Sequence, residues 1–202
     1  YLPDGRIAKG TCLTSGHLSR LRANGIDDII VERREDGDLG EDAGADMIAK
    51  AMMPANVRLS VAATGRANMY ATKRGLLRVD RLRLRDINMV YEGITLSTMQ
   101  HNLLVEAGDL IATLTIISYS VAETAVATII GLEEGESVIS FHALRPRSFR
   151  LVQTSIPGMA DKTLKATEQT AKQRLNQLGF ALVDSRVVAH EAAAINQAIT
   201  AY

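Results

Sequence analysis

FRLVQTSIPGMADKTLKATEQTAKQRLNQLGFALVDSRVVAHEAAAINQAITAY, residues 149–202, is the stretch whose reading decides the fold. Phe149–Ser155 reads as a strand, with Leu151 and Val152 suited to a buried parallel position. A polar loop with Pro157 and Gly158 follows. Leu164, Ala171, Leu175 and Leu178 then form one apolar stripe, which predicts a helix over about Asp161–Leu178, stopped by Gly179. Phe180–Ala189 predicts a second strand, and a second helix starts from Glu191. This is the β-α-β-α opening of a doubly wound α/β domain. Its first loop, TSIPGMADKT, lies where a strand's carboxyl end meets a helix's amino end, a place that offers free N–H groups and a positive dipole end. Thr154, Ser155 and Thr163 add hydroxyls there, and Lys162 and Lys165 add charge. An anion such as phosphate is the natural ligand. A long loop with Asp161 capping the helix explains the same residues equally well. No P-loop or Gly-x-Gly-x-x-Gly motif occurs.

Working back toward the start, Arg145-Pro146-Arg147 predicts a linker, with a mixed, β-rich module over residues 1–147 before it. Thr14 or Ser15 caps a short helix with Leu18 and Leu21 on one face, closed by Asn24-Gly25. Ile26–Glu32 predicts a strand. Glu41–Met53 is helical, ended by Pro54. Val57–Ala63 alternates as a strand that Thr64-Gly65-Arg66 breaks. Ala67–Thr72 and Leu76–Val79 predict a hairpin around Lys73-Arg74-Gly75. A helix over Asp80–Met89, strands over Ile94–Met99 and Leu110–Ile117, a helix over Ala122–Ile130 and a strand over Val138–Ala143 complete the module.

Composition sets limits. Lys and Arg number 23, Asp and Glu 23, so the formal net charge is zero, and aromatics are 4%. Both argue against a nucleic-acid partner, the basic run RVDRLRLR (Arg78–Arg85) included. The single cysteine, Cys12, excludes an internal disulfide and suits a reducing cytoplasm. No apolar run reaches the roughly 20 residues needed to span a bilayer. The first residue is Tyr1, so the start is expected to be trimmed.

Other stretches have two readings each. Arg66 and Asn68 after the Thr64-Gly65 bend could meet a phosphate or the polar edge of a ring ligand, or be a solvated cation and a turn residue. Glu41, Asp42 and Asp46 fit a helix start better than a hard cation, and no metal is assigned. His17, His101, His142 and His190 have no metal spacing. His142 alternates within a strand; His190 ends the last strand, at the edge where ligands of such sheets bind, or caps a helix. Cys12 has no activating histidine near it, and no elbow motif surrounds Ser155. Val105–Thr113 (VEAGDLIAT) is similar to the hammerhead turn of biotinyl-type domains but lacks the attachment lysine with its methionine; a Gly-Asp turn opening a strand accounts for it.

Phe149–Ile199 resembles the amino-terminal part of the molybdopterin-binding domain of molybdopterin adenylyltransferases and molybdenumtransferases. Asp161-Lys162-Thr163 matches that family's Asp-x-Ser/Thr helix start, and Leu178-Gly179 its helix stop. Thr154-Ser155 replaces its Ser-Asp, and His190 stands where Asp is usual. GEDAGADMIA (Gly40–Ala49) and AATGRANMYA (Ala62–Ala71) look like stretches of a divergent branch, members of which are fused to a molybdenum cofactor cytidylyltransferase domain. The resemblance implies molybdopterin or its nucleotide form as ligand, held by Thr154, Ser155, Gly158, Lys162 and Thr163. It implies nucleotidyl or molybdenum transfer, with magnesium, by the full-length protein. The family's Gly-Gly-rich third loop has no counterpart here. The expectation is therefore a fragment of a longer protein, or a sheet completed by association into a homo-oligomer. Two other functions fit the same residues: a non-enzymatic interaction or dimerisation module serving a cytidylyltransferase, and a competence-damage-type nucleotide hydrolase.

Overall fold

The computed structural model describes Gly5, Ile7, Ala8 and residues 10–201. The chain is α/β and divides into two compact units, residues 1–144 and 145–202. Among the described residues no helix is long and apolar enough to cross a membrane.

The first unit opens with helix α1 (Ser15–Ala23). Thr14 caps it as expected, but through an unexpected partner. The Thr14 hydroxyl accepts from the His17 N–H at 3.4 Å, while His17 Nδ1 accepts from the Thr14 N–H at 3.1 Å. His17 thus does what Glu or Gln does in a capping box. The residues after this helix, Ile26–Glu32, form no strand. Their β-propensity is real, but strands exist only where a ladder partner does.

The remaining elements are β1 (Asp38–Gly40), α2 (Glu41–Met52), β2 (Val57–Leu59), β3 (Arg66–Ala71), β4 (Gly75–Val79), α3 (Arg81–Val90), β5 (Ile94–Thr98), β6 (Leu103–Val105), β7 (Leu110–Ile116), β8 (Ser120–Ala122), α4 (Glu123–Leu132) and β9 (Ile139–Ala143). They form antiparallel sheets ordered β2-β3-β7-β5, β6-β4-β9 and β1-β8. The expected hairpin of β3 with β4 does not occur. Ala67–Thr72 and Leu76–Val79 lie in different sheets, and the chain crosses between sheets at Thr72–Arg74. It crosses back at Glu106–Asp109, between β6 and β7. The two crossings are tied together: the Ala71 N–H donates to Asp109 at 3.0 Å, Gly108 donates to Ala71 at 2.8 Å, and Arg74 pairs with Glu106 at 3.0 Å. The true hairpin is β2–β3, and Thr64-Gly65 is its turn.

Period-two alternation places Ala67, Met69 and Ala71, Leu77 and Val79, Ile94 and Leu96, and Leu114 and Ile116 in one core. Ala45, Ile48, Ala49 and Met52 of α2 and Val126 and Ile129 of α4 close over it.

The second unit contains β10 (Ser148–Ser155), α5 (Asp161–Gln177), β11 (Ala181–Ala189) and α6 (Ala192–Thr200). β10 and β11 are parallel, with Thr154 opposite Val188 and Ser155 opposite Ala189. The parallel pairing matches the sequence reading; the burial does not. Leu151 and Val152 are only half-buried, and Ala198 is the one fully buried apolar residue described in this unit. Two strands leave both outer edges open and cannot enclose a core.

Candidate functional site

The carboxyl edge of β10 and β11 gathers the residues the sequence singled out. Thr154 and Ser155 end β10, Gly158 turns the loop with φ 87°, and Lys162 and Thr163 lie in the first turn of α5, exposed. The loop is tightened locally, with Met159 donating to Ile156 at 3.1 Å and Thr163 to Ala160 at 2.9 Å. Asp161 is not the cap. The N-cap position is Ala160, and no side chain caps the helix. A helix of 17 residues thus presents its amino end without a competing side-chain acceptor.

The neighbouring strand repeats the arrangement. β11 runs through His190 and Glu191 into α6, whose amino end also lacks a side-chain cap. The His190 N–H donates to the Ser155 carbonyl at 3.2 Å, extending the ladder. His190 Nδ1 lies 2.9 Å from Thr154 Oγ1. The two strands' polar tips are therefore bonded to each other. Parallel register explains why: Val188 stands opposite Thr154, and His190, two residues on, keeps to the same face. That pairing was open to sequence reasoning, because two parallel strands ending together must share faces at their tips.

Gln153, one residue earlier, was missed. It points to the opposite face from Thr154 and is the one buried polar side chain described in the unit, 7% exposed, with no partner for Nε2. Its signal was a polar residue in an otherwise apolar alternation. A cavity of about 410 Å³ on the unit lies elsewhere. It is lined by Ser148, Arg150, Val152, Val183 and Ile199, toward the start of β10, and does not include the strand tips.

Charge is segregated along the chain. From Arg145 onward there are eight basic and four acidic residues; before it there are 15 basic and 19 acidic. The balanced total conceals a cationic second unit, and a cationic surface raises the local concentration of anions.

The other sequence candidates have structural roles. The Asp42 carboxylate accepts from the Gly65 N–H at 2.8 Å, so the two stretches GEDAGADMIA and AATGRANMYA are bonded together. Asn68 accepts from the Thr113 hydroxyl at 2.9 Å across the sheet, and Arg66 is exposed. Asp46 pairs with Lys50 on α2. His101 accepts from the Val79 N–H at 3.1 Å, while His142 and Cys12 are exposed. Among the described residues no group of His, Cys, Asp and Glu could hold a metal ion.

Two carboxylates depart from ordinary titration. Glu32 is held low, first by the Ser120 hydroxyl at 2.6 Å and then by the Tyr119 N–H at 3.0 Å. Glu133 is pushed up by burial, which outweighs its bonds from the Val138 N–H and the Ser137 hydroxyl. Both belong to the first unit, away from the strand tips in sequence. Searched against protein families, curated proteins and solved structures, the chain matches none.

Proposed function

We propose that residues 145–202 bind a phosphate-bearing ligand at the carboxyl edge of β10 and β11, and that the ligand is molybdopterin or its nucleotide form, used in molybdenum cofactor biosynthesis or handling. The observation that carries the anion reading is the convergence at one sheet edge of two helix amino ends without side-chain caps. The Thr154–His190 pair between the strand tips and the exposed Lys162 add donors at that edge. Thr154, Ser155, Lys162, the backbone at Gly158 and the Thr163 hydroxyl suit phosphate oxygens. These donors fit the ligand's anionic part. The pterin identity rests on the resemblance of Phe149–Ile199 to that family. The described residues offer no carboxylate set for magnesium, so any such ion would arrive with the phosphate.

Isothermal titration of the protein with molybdopterin, and separately with a nucleoside monophosphate, tests this. Binding that weakens about tenfold in Lys162→Ala, a loss of about 1.4 kcal/mol, supports the reading. A folded protein that binds neither ligand, or a Lys162→Ala variant that binds as tightly as the parent, ends it.

A further inference from the structure

His190 differs from His17 and His101 in what it is bonded to. Those two each accept a backbone N–H at Nδ1, from Thr14 and from Val79. An amide cannot reverse such a bond, so a second proton on either ring would break it. His190 Nδ1 instead meets a hydroxyl, Thr154 Oγ1, at 2.9 Å. A hydroxyl both donates and accepts, so this bond survives in either direction and the ring can gain a proton without losing it. The ring is exposed and Thr154 is half-buried, where β10 and β11 end. An anion at this edge selects one direction. If Thr154 donated to His190, its oxygen would turn only lone pairs toward the anion. With Nδ1–H donating to Oγ1, the hydroxyl proton is released to the ligand, and a chain runs from ring to hydroxyl to phosphate oxygen. Each bond of such a chain polarises the next, and a positively charged ring strengthens both. Nε2 stays outside the chain and is the atom that takes the extra proton from solvent.

We infer, resting on the phosphate reading of this site, that ligand binding at the strand ends is coupled to proton uptake by His190, so that the site holds phosphate more tightly as pH falls through the histidine range. The charges on the elements that meet there leave the ring's proton open. The first two turns of α5 carry Asp161, Lys162 and Lys165, and Glu191 precedes α6, which has no charged residue of its own. β10 carries only Arg150, four residues before Thr154, and Asp184 and Arg186 of β11 pair with each other at 3.1 Å. Two carboxylates thus stand against two ammonium groups at the strand ends, and the arriving phosphate is the charge that decides. An opposite charge close to an imidazole favours its protonated form. Linkage makes the effect reciprocal, because a ligand that strengthens proton binding is itself bound better where protons are plentiful.

Isothermal titration of the protein with a nucleoside monophosphate at about pH 7.5, in two buffers of unlike ionisation enthalpy, tests the coupling. A phosphate monoester has its second pKa at about 6, so the ligand is almost fully charged there and brings few protons of its own. The expected result is uptake of a fraction of one proton per ligand bound, with affinity falling roughly twofold between about pH 7 and about pH 8. His190→Asn puts an amide donor in the place of Nδ1 but cannot titrate. It should bind more weakly, take up no proton and lose the pH dependence. Thr154→Val removes the hydroxyl between ring and ligand and should cut the uptake too. A parent that binds without uptake, or uptake undiminished in either variant, overturns the coupling and leaves the phosphate site standing. A folded parent that binds no nucleotide ends both.

Discussion

Thr64 holds φ at 51° and Gly65 at 72°, and the flanking Ala63 and Arg66 exchange both backbone hydrogen bonds, at 3.0 and 3.1 Å. This is a two-residue turn that demands the left-handed region twice. Glycine meets the demand without cost; a β-branched threonine does not. Thr64→Asn should raise stability by about 1 kcal/mol in urea unfolding, because Asn-Gly suits both positions. Gly65→Ala should be harmful, since its added carbon would lie 2.2 Å from the Ile116 carbonyl oxygen. The expected loss exceeds about 2 kcal/mol. Gln153 poses the reverse case. Its buried, unpartnered amide nitrogen costs desolvation with no return, so Gln153→Leu should gain about 1 kcal/mol by the same measurement. The two shifted carboxylates have opposite pH signatures. Glu32 is held low, so its contribution is present above the ordinary carboxyl range and is lost as pH falls through the lowered folded value. Glu133 is pushed up, so the folded state keeps its proton longer, and stability falls as pH rises from the ordinary glutamate value through the raised one. Urea unfolding across an acid pH series should show Glu32→Gln losing the first dependence and Glu133→Gln losing the second. At this scale much was legible. Thr64-Gly65 marked the turn and Thr154 the strand tip. Asp42 gripping Gly65 was not, because the bond joins residues 23 apart in the chain.

Side chains finish what the strands begin. β5 lies at the rim of its sheet, and Asn88 of α3 covers it as a short strand would: Oδ1 accepts from the Leu96 N–H at 2.7 Å and Nδ2 donates to the Leu96 carbonyl at 3.1 Å. His101 continues the β4 ladder where β6 stops, and Glu32 covers the β8 backbone. Such coverings keep a rim from recruiting another chain. Asn88→Ala should cost about 2 kcal/mol, because it strands a donor and an acceptor together, and should increase aggregation by light scattering. The elements themselves were unevenly readable. α5 and β11 follow from an apolar stripe, Gly179 and alternation, all of them local. β1, β6 and β8, three residues each, are shorter than any period can register. The β3–β4 misreading has a different cause. Lys73-Arg74-Gly75 does turn the chain, but whether a turn closes a hairpin or changes sheet is decided by β7, β6 and β9, far along the sequence. Ile26–Glu32 shows the complement, a sequence with strand propensity and no strand beside it.

At the level of the molecule, the apolar core belongs to one unit. Every residue of the buried cluster precedes Leu144, and the second unit adds only Ala198 to the buried apolar residues described. Urea unfolding followed by hydrogen exchange should therefore resolve two steps, with amides of β10 and β11 exchanging before those of β3 and β7. Limited trypsin digestion should cut first after the exposed Arg147, since the Arg145–Pro146 bond resists trypsin, and leave the first unit resistant. The paired crossings at Thr72–Arg74 and Glu106–Asp109 have a consequence in time. Because β3 must wait for β7 and β4 for β6 and β9, neither sheet can be completed from neighbouring strands alone, although β2 and β3 form a hairpin. Contacts of this kind make loop closure the slow step of folding. On the ribosome, the first hundred residues can form their helices early, but the four-stranded sheet has to remain open until Leu110–Ile116 has emerged and the three-stranded one until Ile139–Ala143 has. The nascent chain would spend that interval with its strand edges bare, which is when a chaperone would find it.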